Sequence, residues 1–487
     1  MTFTTLTFGL FLVLVFALHW CARGRVGQNS VILVASYLFY GWWDLRFCAL
    51  LLGSSLLDYA IARAIARSQP QPALARQRRT LVAVSCVANL GLLAAFKYFD
   101  FFIDSLALAL EQVGVSAELP SLRLILPVGI SFYTFQTLGY TIDVYRGDVR
   151  ASRSLLDYLA YVSFFPQLVA GPIERARNLL PQLERPRQFD EATAREGARQ
   201  MLWGLTKKVI LADHLGAFVA EIYLGDGSVH ASGPVLLIAT VAFALQIYCD
   251  FSAYSDLAVG TAKLFGIRLV RNFAYPYFSR SVVEFWRRWH MSLSTWFRDY
   301  VYVPLGGSQC GPRRRWLNLM VTFTLSGLWH GANWTFVVWG AANGLLVAMA
   351  GRAGTASREL PSTLRGWPGF VAFVQMLATF TLICLTWVFF RAVDLGHALR
   401  ILAKIFVELP SPAAWAQLGH HDEFLVAFAP LVGIFVLVEW HSRAAEHPLV
   451  SLSSWPRPGR WLLYSAMLWT TLYLMPDDPH AFLYFQF

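Results

Sequence analysis

A stretch without one Asp, Glu, Lys or Arg runs from Trp316 to Gly351, and a single histidine, His330, sits near its middle in Leu328-Trp329-His330-Gly331-Ala332-Asn333. A straight helix of that length measures roughly 54 Å at 1.5 Å per residue, against a hydrocarbon core of ~30 Å. The segment must therefore break. Gly331 and Asn333 are poor helix interiors, so the break is expected at the histidine, with a short apolar arm on either side. Such a fold sets an ionisable ring at depth in a bilayer. That placement is expensive and marks a functional-site candidate by default.

Hydrophobic residues make up 56% of the chain and charged residues 14%, where a soluble globular protein carries about 25% charge. The chain reads as a polytopic membrane protein folded as one membrane-embedded domain over 1–487, with its motif-bearing core at about 126–350. The first apolar run, Leu6 to Trp20, has no basic segment before it and no A-x-A site after it, so it is expected to stay as a helix. No soluble domain is expected at either end, and no appended hydrolase-like domain is expected. The net charge of +10 resides in short loops between apolar runs, where the positive-inside rule explains it and nucleic-acid binding does not. Six cysteines form no C-x-x-C pair and imply neither a disulfide framework nor a metal site.

Loop arginines give a topology. Arg23 and Arg25, then Arg63 to Arg79, mark cytoplasmic loops, so Val31 to Ala62 must cross twice, interrupted at Gly41-Trp42-Trp43-Asp44. Tyr158 to Pro172 is too short to span and reads as re-entrant or interfacial. Lys207 and Lys208, inside a helix around Ala198 to Tyr223, are expected to face a cavity or a lipid headgroup. The basic region Arg268 to Arg315 and the loop with Arg352, Arg358 and Arg365 are placed on the cytoplasmic side, and both termini outside. The sum is 11–12 short transmembrane or re-entrant helices plus interfacial amphipathic ones, with no internal repeat.

Val283 to Leu305, VEFWRRWHMSLSTWFRDYVYVPL, reads as a single amphipathic interfacial helix. At 100° per residue Phe285, Trp286, Trp289, Leu293, Trp296, Phe297 and Tyr300 share an arc of about 120°, and His290 falls on its border. From the helix pattern, His290 either looks into the protein or hydrogen-bonds a neighbour. His330 either serves chemistry or satisfies a carbonyl freed by the break, with Asn333 as a local partner. Asp250 and Asp256, in Cys249-Asp250-Phe251-Ser252-Ala253-Tyr254-Ser255-Asp256, either face a watery cavity or pair with arginines to hold helices together. Gly171-Pro172-Ile173-Glu174-Arg175 reads as a turn and a helix start.

These stretches carry a resemblance. SYLFYGWW (Ser36 to Trp43), LPVGISFYTFQTLGYTIDVYRG (Leu126 to Gly147), GPIER (Gly171 to Arg175), DFSAYSDLAVG (Asp250 to Gly260), FWRRWHMSLSTWFRDYVYVPLGG (Phe285 to Gly307), LSGLWHGANWT (Leu325 to Thr335) and FLYFQF (Phe482 to Phe487) occur in the order found in the membrane-bound O-acyltransferase (MBOAT) family. The chain resembles its bacterial branch of alginate and peptidoglycan O-acetyltransferases. Ser308 departs from the Asn usual after the Gly-Gly pair, and Ala253 from the Gly of a DFSGYSD run; both bear on donor and acceptor choice, not on the reaction class.

The resemblance implies an all-α, funnel-like membrane body in the bacterial inner membrane, with His330 catalytic and His290 the second active-site residue on a tunnel. It implies a cytoplasmic acyl donor, an acceptor arriving from the opposite side, and a separate periplasmic SGNH-type transferase that completes acetylation of a polysaccharide. Acetyl-CoA is the expected donor substrate; no bound cofactor and no metal are expected. Arg287, Arg288, Trp289, Arg298, Trp329, Asn333, Asp250 and Asp256 are the expected substrate-binding residues, the arginines (and Arg313 to Arg315) being suited to the donor's phosphates. His330 is expected to act as general base on an acceptor hydroxyl, or through a covalent acetyl-histidine, with His290 orienting or polarising the thioester carbonyl. The alternatives are a D-alanyl-type transferase fed by a carrier-protein thioester, and a transporter, which would usually show repeat symmetry.

Overall fold

The computed structural model describes residues 1–69, 71–169, 171–225, 227–356, 368–475 and 482–483, and among them every regular element is helical. Arg358, Arg365, His480 and the last four residues of the terminal FLYFQF motif lie outside the described residues. Among the described residues, six helices are long and apolar enough to cross a membrane: Leu45–Ser68, Pro72–Gln112, Gly233–Leu264, Trp334–Gly351, Gly369–Arg391 and Pro412–Ser442, with Leu6–Cys21 a shorter apolar one. The chain is thus an all-α, multi-pass membrane protein. It divides into two compact units, one of Met1–Met201 with Leu257–Val270 and one of Leu202–Asp256 with Arg271–Phe487.

In the first unit, the interruption expected at Gly41 to Asp44 is real. Gly24–Gly41 ends there, and the Asp44 side chain accepts from Arg46 N to cap Leu45–Ser68. A carboxylate at that position satisfies an orphan helix-start donor. The centre of the unit is Ile130–Arg146, buried at every residue from Ile130 to Thr141. Its polar face meets a buried carboxylate: Asp58 accepts from Ser85 Oγ, from Asn89 Nδ2 at 2.8 Å and from Thr141 Oγ1 at 3.3 Å. A satisfied buried carboxylate fixes the register of the helices that supply its donors. The short run Tyr158 to Pro172 falls in Leu155–Ser163, buried from Asp157 onward, and in Phe165–Leu168, buried throughout.

The second unit corrects two expectations. Lys207 and Lys208 do not reach headgroups but are buried in ion pairs. They lie in a π-helical segment, Lys207–Asp213, where both are buried. Lys207 Nζ sits 2.7 Å from both Asp256 and Ser252, and Lys208 Nζ lies 2.6 Å from Asp213 and 2.8 Å from Asp250. Buried ammonium groups are tolerated only when paired in this way. The second correction concerns Val283 to Leu305. It forms Val282–Arg288, a break, Met291–Phe297 and a π-helical turn Arg298–Tyr302.

The uncharged stretch folds as the sequence requires, into Pro312–His330 and Trp334–Ala356 with the break between them. These two helices pack backbone to backbone through glycines. A Cβ on Gly327 would lie 2.2 Å from the Phe336 carbonyl oxygen, and one on Gly340 2.3 Å from that of Phe323. Only glycine permits this approach, which turns an overlong apolar segment into a tight antiparallel pair.

Candidate active site

Two chain breaks present the two histidines. His330 is the last residue of its helix, and Gly331 follows in an extended conformation (φ −160°, ψ 149°). A Cβ there would stand 2.1 Å from the Phe336 ring, which would have to shift to admit it. The chain re-enters helix at Trp334, where Asn333 Oδ1 accepts from Thr335 N at 3.0 Å and Asn333 Nδ2 donates to the Val393 carbonyl at 2.9 Å. Asn333 is therefore an N-cap.

His290 breaks its helix differently. It adopts the left-handed region, φ 41° and ψ 55°, which costs a non-glycine residue roughly 1–2 kcal/mol. A neighbouring segment compensates by clamping both sides: Ala274 N donates to Arg288 O at 3.0 Å, and Met291 N donates to Asn272 O at 2.9 Å. Strained conformations of this kind persist where the surroundings over-determine them, and they cluster at active sites.

Both imidazoles are buried, His290 to 1% and His330 to 4% exposure, and their ring centroids are 6.5 Å apart. One substrate group within about 3 Å of each ring edge bridges such a separation. The His330 ring meets Trp339 edge-on at 5.1 Å and Phe390 at 5.5 Å. The His290 ring meets Phe251 edge-on at 4.6 Å. Burial pushes the His290 imidazole down to about 3, so it is neutral at physiological pH.

Both rings line one cavity of about 460 Å³. Its apolar wall comes from Trp286, Phe297, Leu319, Phe323 and Val347; Ser294, Thr295 and Ser326 add hydroxyls, and Arg287 and Arg298 add positive charge. A hydrophobic cleft with few convergent polar groups and two imidazoles has the anatomy of a small-molecule site.

Of the residues expected at the site, His290, His330, Arg287 and Arg298 are brought together here. Arg298 also pairs with Asp299 at 2.7 Å, and Arg288 is turned to Glu284 at 2.5 Å. Trp289 is packed face to face with Phe285 at 5.4 Å, and Trp329 lies against both histidine rings, 6.1 Å from His290 and 5.0 Å from His330. Asp250 pairs with Lys208 and Asp256 with Lys207. Asp250 also accepts from Leu483 N at 2.8 Å, so these carboxylates secure the helix Gly233–Leu264 in place.

Sequence reasoning missed Asn272, whose side-chain oxygen lies 3.1 Å from His290 Nδ1. Nothing in its sequence neighbourhood, a basic stretch without motif, distinguishes it. In the first unit, Glu174 of the GPIER turn is buried and accepts from Val270 N. Burial raises its carboxyl to about 7, against the opposing pull of that hydrogen bond.

Comparison with known proteins agrees with the geometry. The sequence model of MBOAT, the membrane-bound O-acyltransferase family, matches residues 148–390. The chain is 39% identical over 399 residues to the probable alginate O-acetylase AlgI of Azotobacter vinelandii, covering 82% of this chain and 76% of that protein. It is 34% identical over 413 residues to the peptidoglycan O-acetyltransferase of Helicobacter pylori, covering 80% and 75% respectively. Against the teichoic acid D-alanyltransferase of Bacillus subtilis it is 26% identical over 241 residues, 47% of this chain and 60% of that one. Likeness of this extent, with a paired-imidazole cavity inside a multi-pass helical body, makes the chain a member of the membrane-bound O-acyltransferase family and an O-acyltransferase.

Proposed function

We propose that this protein moves an acetyl group from a cytoplasmic thioester, acetyl-CoA, toward a hydroxyl of a cell-envelope or secreted polysaccharide, in the inner membrane with both termini periplasmic. The observation that carries this reading is the cavity that holds His290 and His330 at 6.5 Å. The names of its relatives in Azotobacter and Helicobacter support acetyl as the group transferred and a polysaccharide as the final recipient.

In the reaction so read, His330 removes the proton from an acceptor hydroxyl as its oxygen bonds to the thioester carbon. The C–S bond then breaks, and the protonated imidazole returns its proton to the leaving thiolate. General base catalysis of this kind contributes about 10²–10⁴ in rate. Arg287 and Arg298, on the cavity wall, suit the donor's phosphates. A separate periplasmic SGNH-type transferase receives the group and completes the ester on the glycan.

The test is transfer of labelled acetyl by the purified protein in proteoliposomes. Acetyl-CoA should label an acceptor hydroxyl, and His330→Ala should abolish labelling while leaving insertion and elution profile unchanged. Labelling that requires a carrier-protein thioester in place of CoA would move the protein to the D-alanyl-type class. Passage of the group without ester formation would make it a transporter.

A further inference from the structure

Asn272 has an arrangement that constrains the proton on His290. Its Oδ1 accepts from Ser292 N at 3.3 Å and from Ser292 Oγ at 3.0 Å, and it lies 3.1 Å from His290 Nδ1. Its Nδ2 donates to Ser255 Oγ at 3.3 Å. An amide oxygen and nitrogen are assigned from their partners. A backbone N–H is always a donor, so the atom facing Ser292 N has to be the oxygen. Nδ1 of His290 faces that same oxygen and must therefore carry the proton. In a neutral imidazole the other nitrogen, Nε2, then holds the lone pair. Nε2 is buried and has no hydrogen-bond partner among the described residues, on a ring that lines the cavity.

We propose that Asn272 is a positioning residue that locks His290 in the Nδ1–H tautomer, so that Nε2 meets the substrate as a proton acceptor. The backbone of residue 272 takes part as well, since its carbonyl holds Met291 N and with it the left-handed turn at His290. One residue thus sets both the position of the ring and its proton. The consequence is chemical. His290 in its resting state cannot polarise a thioester carbonyl, which needs a donor. It can accept a proton from a substrate hydroxyl or thiol, and only after doing so can it donate. The remaining faces of the ring are covered by Phe251, Phe273 and Trp329, which do not titrate here, and by the His330 ring; Arg287 and Arg298 are the charged groups on the shared cavity.

The inference rests on the acyl-transfer reading for its kinetic arm alone; the spectroscopic arm is independent of activity. Histidine-¹⁵N spectra of the full-length protein in detergent, with the His290 signals assigned by comparison with His290→Asn, should show a pyrrole-like Nδ1 and a pyridine-like Nε2. An Nε2–H tautomer in the wild type overturns the proposal whatever the enzyme does. In the kinetic arm, Asn272→Ala should lower kcat about 10- to 100-fold with the KM for acetyl-CoA little changed, the usual cost of losing an orienting partner. Asn272→Asp keeps the acceptor oxygen, and should recover most of kcat with a pH optimum moved upward, because a carboxylate beside an imidazole favours its protonated form. Wild-type kcat in Asn272→Ala, or Asn272→Asp as impaired as Asn272→Ala with an unmoved pH profile, would refute it. If Asn272→Ala does not fold, the wild-type spectrum and Asn272→Asp decide. Absence of acetyl transfer by the wild type would instead count against the functional reading and leave the tautomer measurable.

Discussion

The two histidines reach one cavity through opposite kinds of break. At His330 the chain stops with inexpensive punctuation: a glycine with no room for a Cβ, followed by an asparagine that caps the next helix. At His290 nothing local ends the helix, and the residue takes a left-handed conformation that a neighbouring segment enforces from both sides. The first break is written in residues 331 to 333 themselves. The second is written in residues 272 to 274, some sixteen positions upstream. Sequence proximity explains why a break is cheap, and tertiary contact explains why a costly one survives.

Substitutions at the break positions sharpen this contrast. Gly331→Ala should destabilise by about 1–3 kcal/mol, the usual range for overpacking, because the Phe336 ring it would strike is itself buried against Phe390 at 4.8 Å. The readout is the thermal midpoint in detergent, and an unchanged midpoint would mean that the hairpin has slack. At 290 glycine should have the opposite effect. His290→Gly should be more stable than His290→Ala by about 1–2 kcal/mol, since glycine carries no left-handed penalty. Equal midpoints would show that the turn is not strained.

Acid offers a third probe. The folded His290 imidazole titrates near 3 and the unfolded one near 6.5. Above 6.5 neither state binds a proton, so the contribution is complete. Between about 6.5 and 3 the unfolded chain binds the extra proton, and stability falls by up to about 1.4 kcal/mol per pH unit. His290→Asn should flatten that part of the profile relative to the wild type, and parallel profiles would contradict the burial of the ring. The smallest effect belongs to Asn333→Ala, which should cost about 1 kcal/mol as a lost cap while leaving the cavity chemistry intact. A loss of acetyl transfer in that variant beyond its loss of folded protein would assign Asn333 a role at the substrate.

Much of this was legible in the chain. Length against bilayer thickness forced the break at His330, and Gly41 to Asp44 announced the split between the helices Gly24–Gly41 and Leu45–Ser68. Other features were not. Val283 to Leu305 has helical periodicity throughout and no glycine or proline before Pro304, so no reading of that segment alone could place a turn at His290. Lys207 and Lys208 were expected at a cavity or a lipid headgroup because two of the carboxylates that pair with them, Asp250 and Asp256, stand on the helix Gly233–Leu264, remote in sequence. Asn272 was invisible for the simplest reason: its partner is eighteen residues away, and a lone asparagine in a loop carries no periodic signal.

The most direct test of the central claim, that both imidazoles act on the same reacting atoms, is a double-mutant cycle on acetyl transfer. His330→Ala and His290→Ala should each lower kcat by about 10²–10⁴, and the double variant should be little worse than either single one, as found for groups that act as a unit. Losses that multiply in the double variant, or turnover near wild type in His330→Ala, would contradict it.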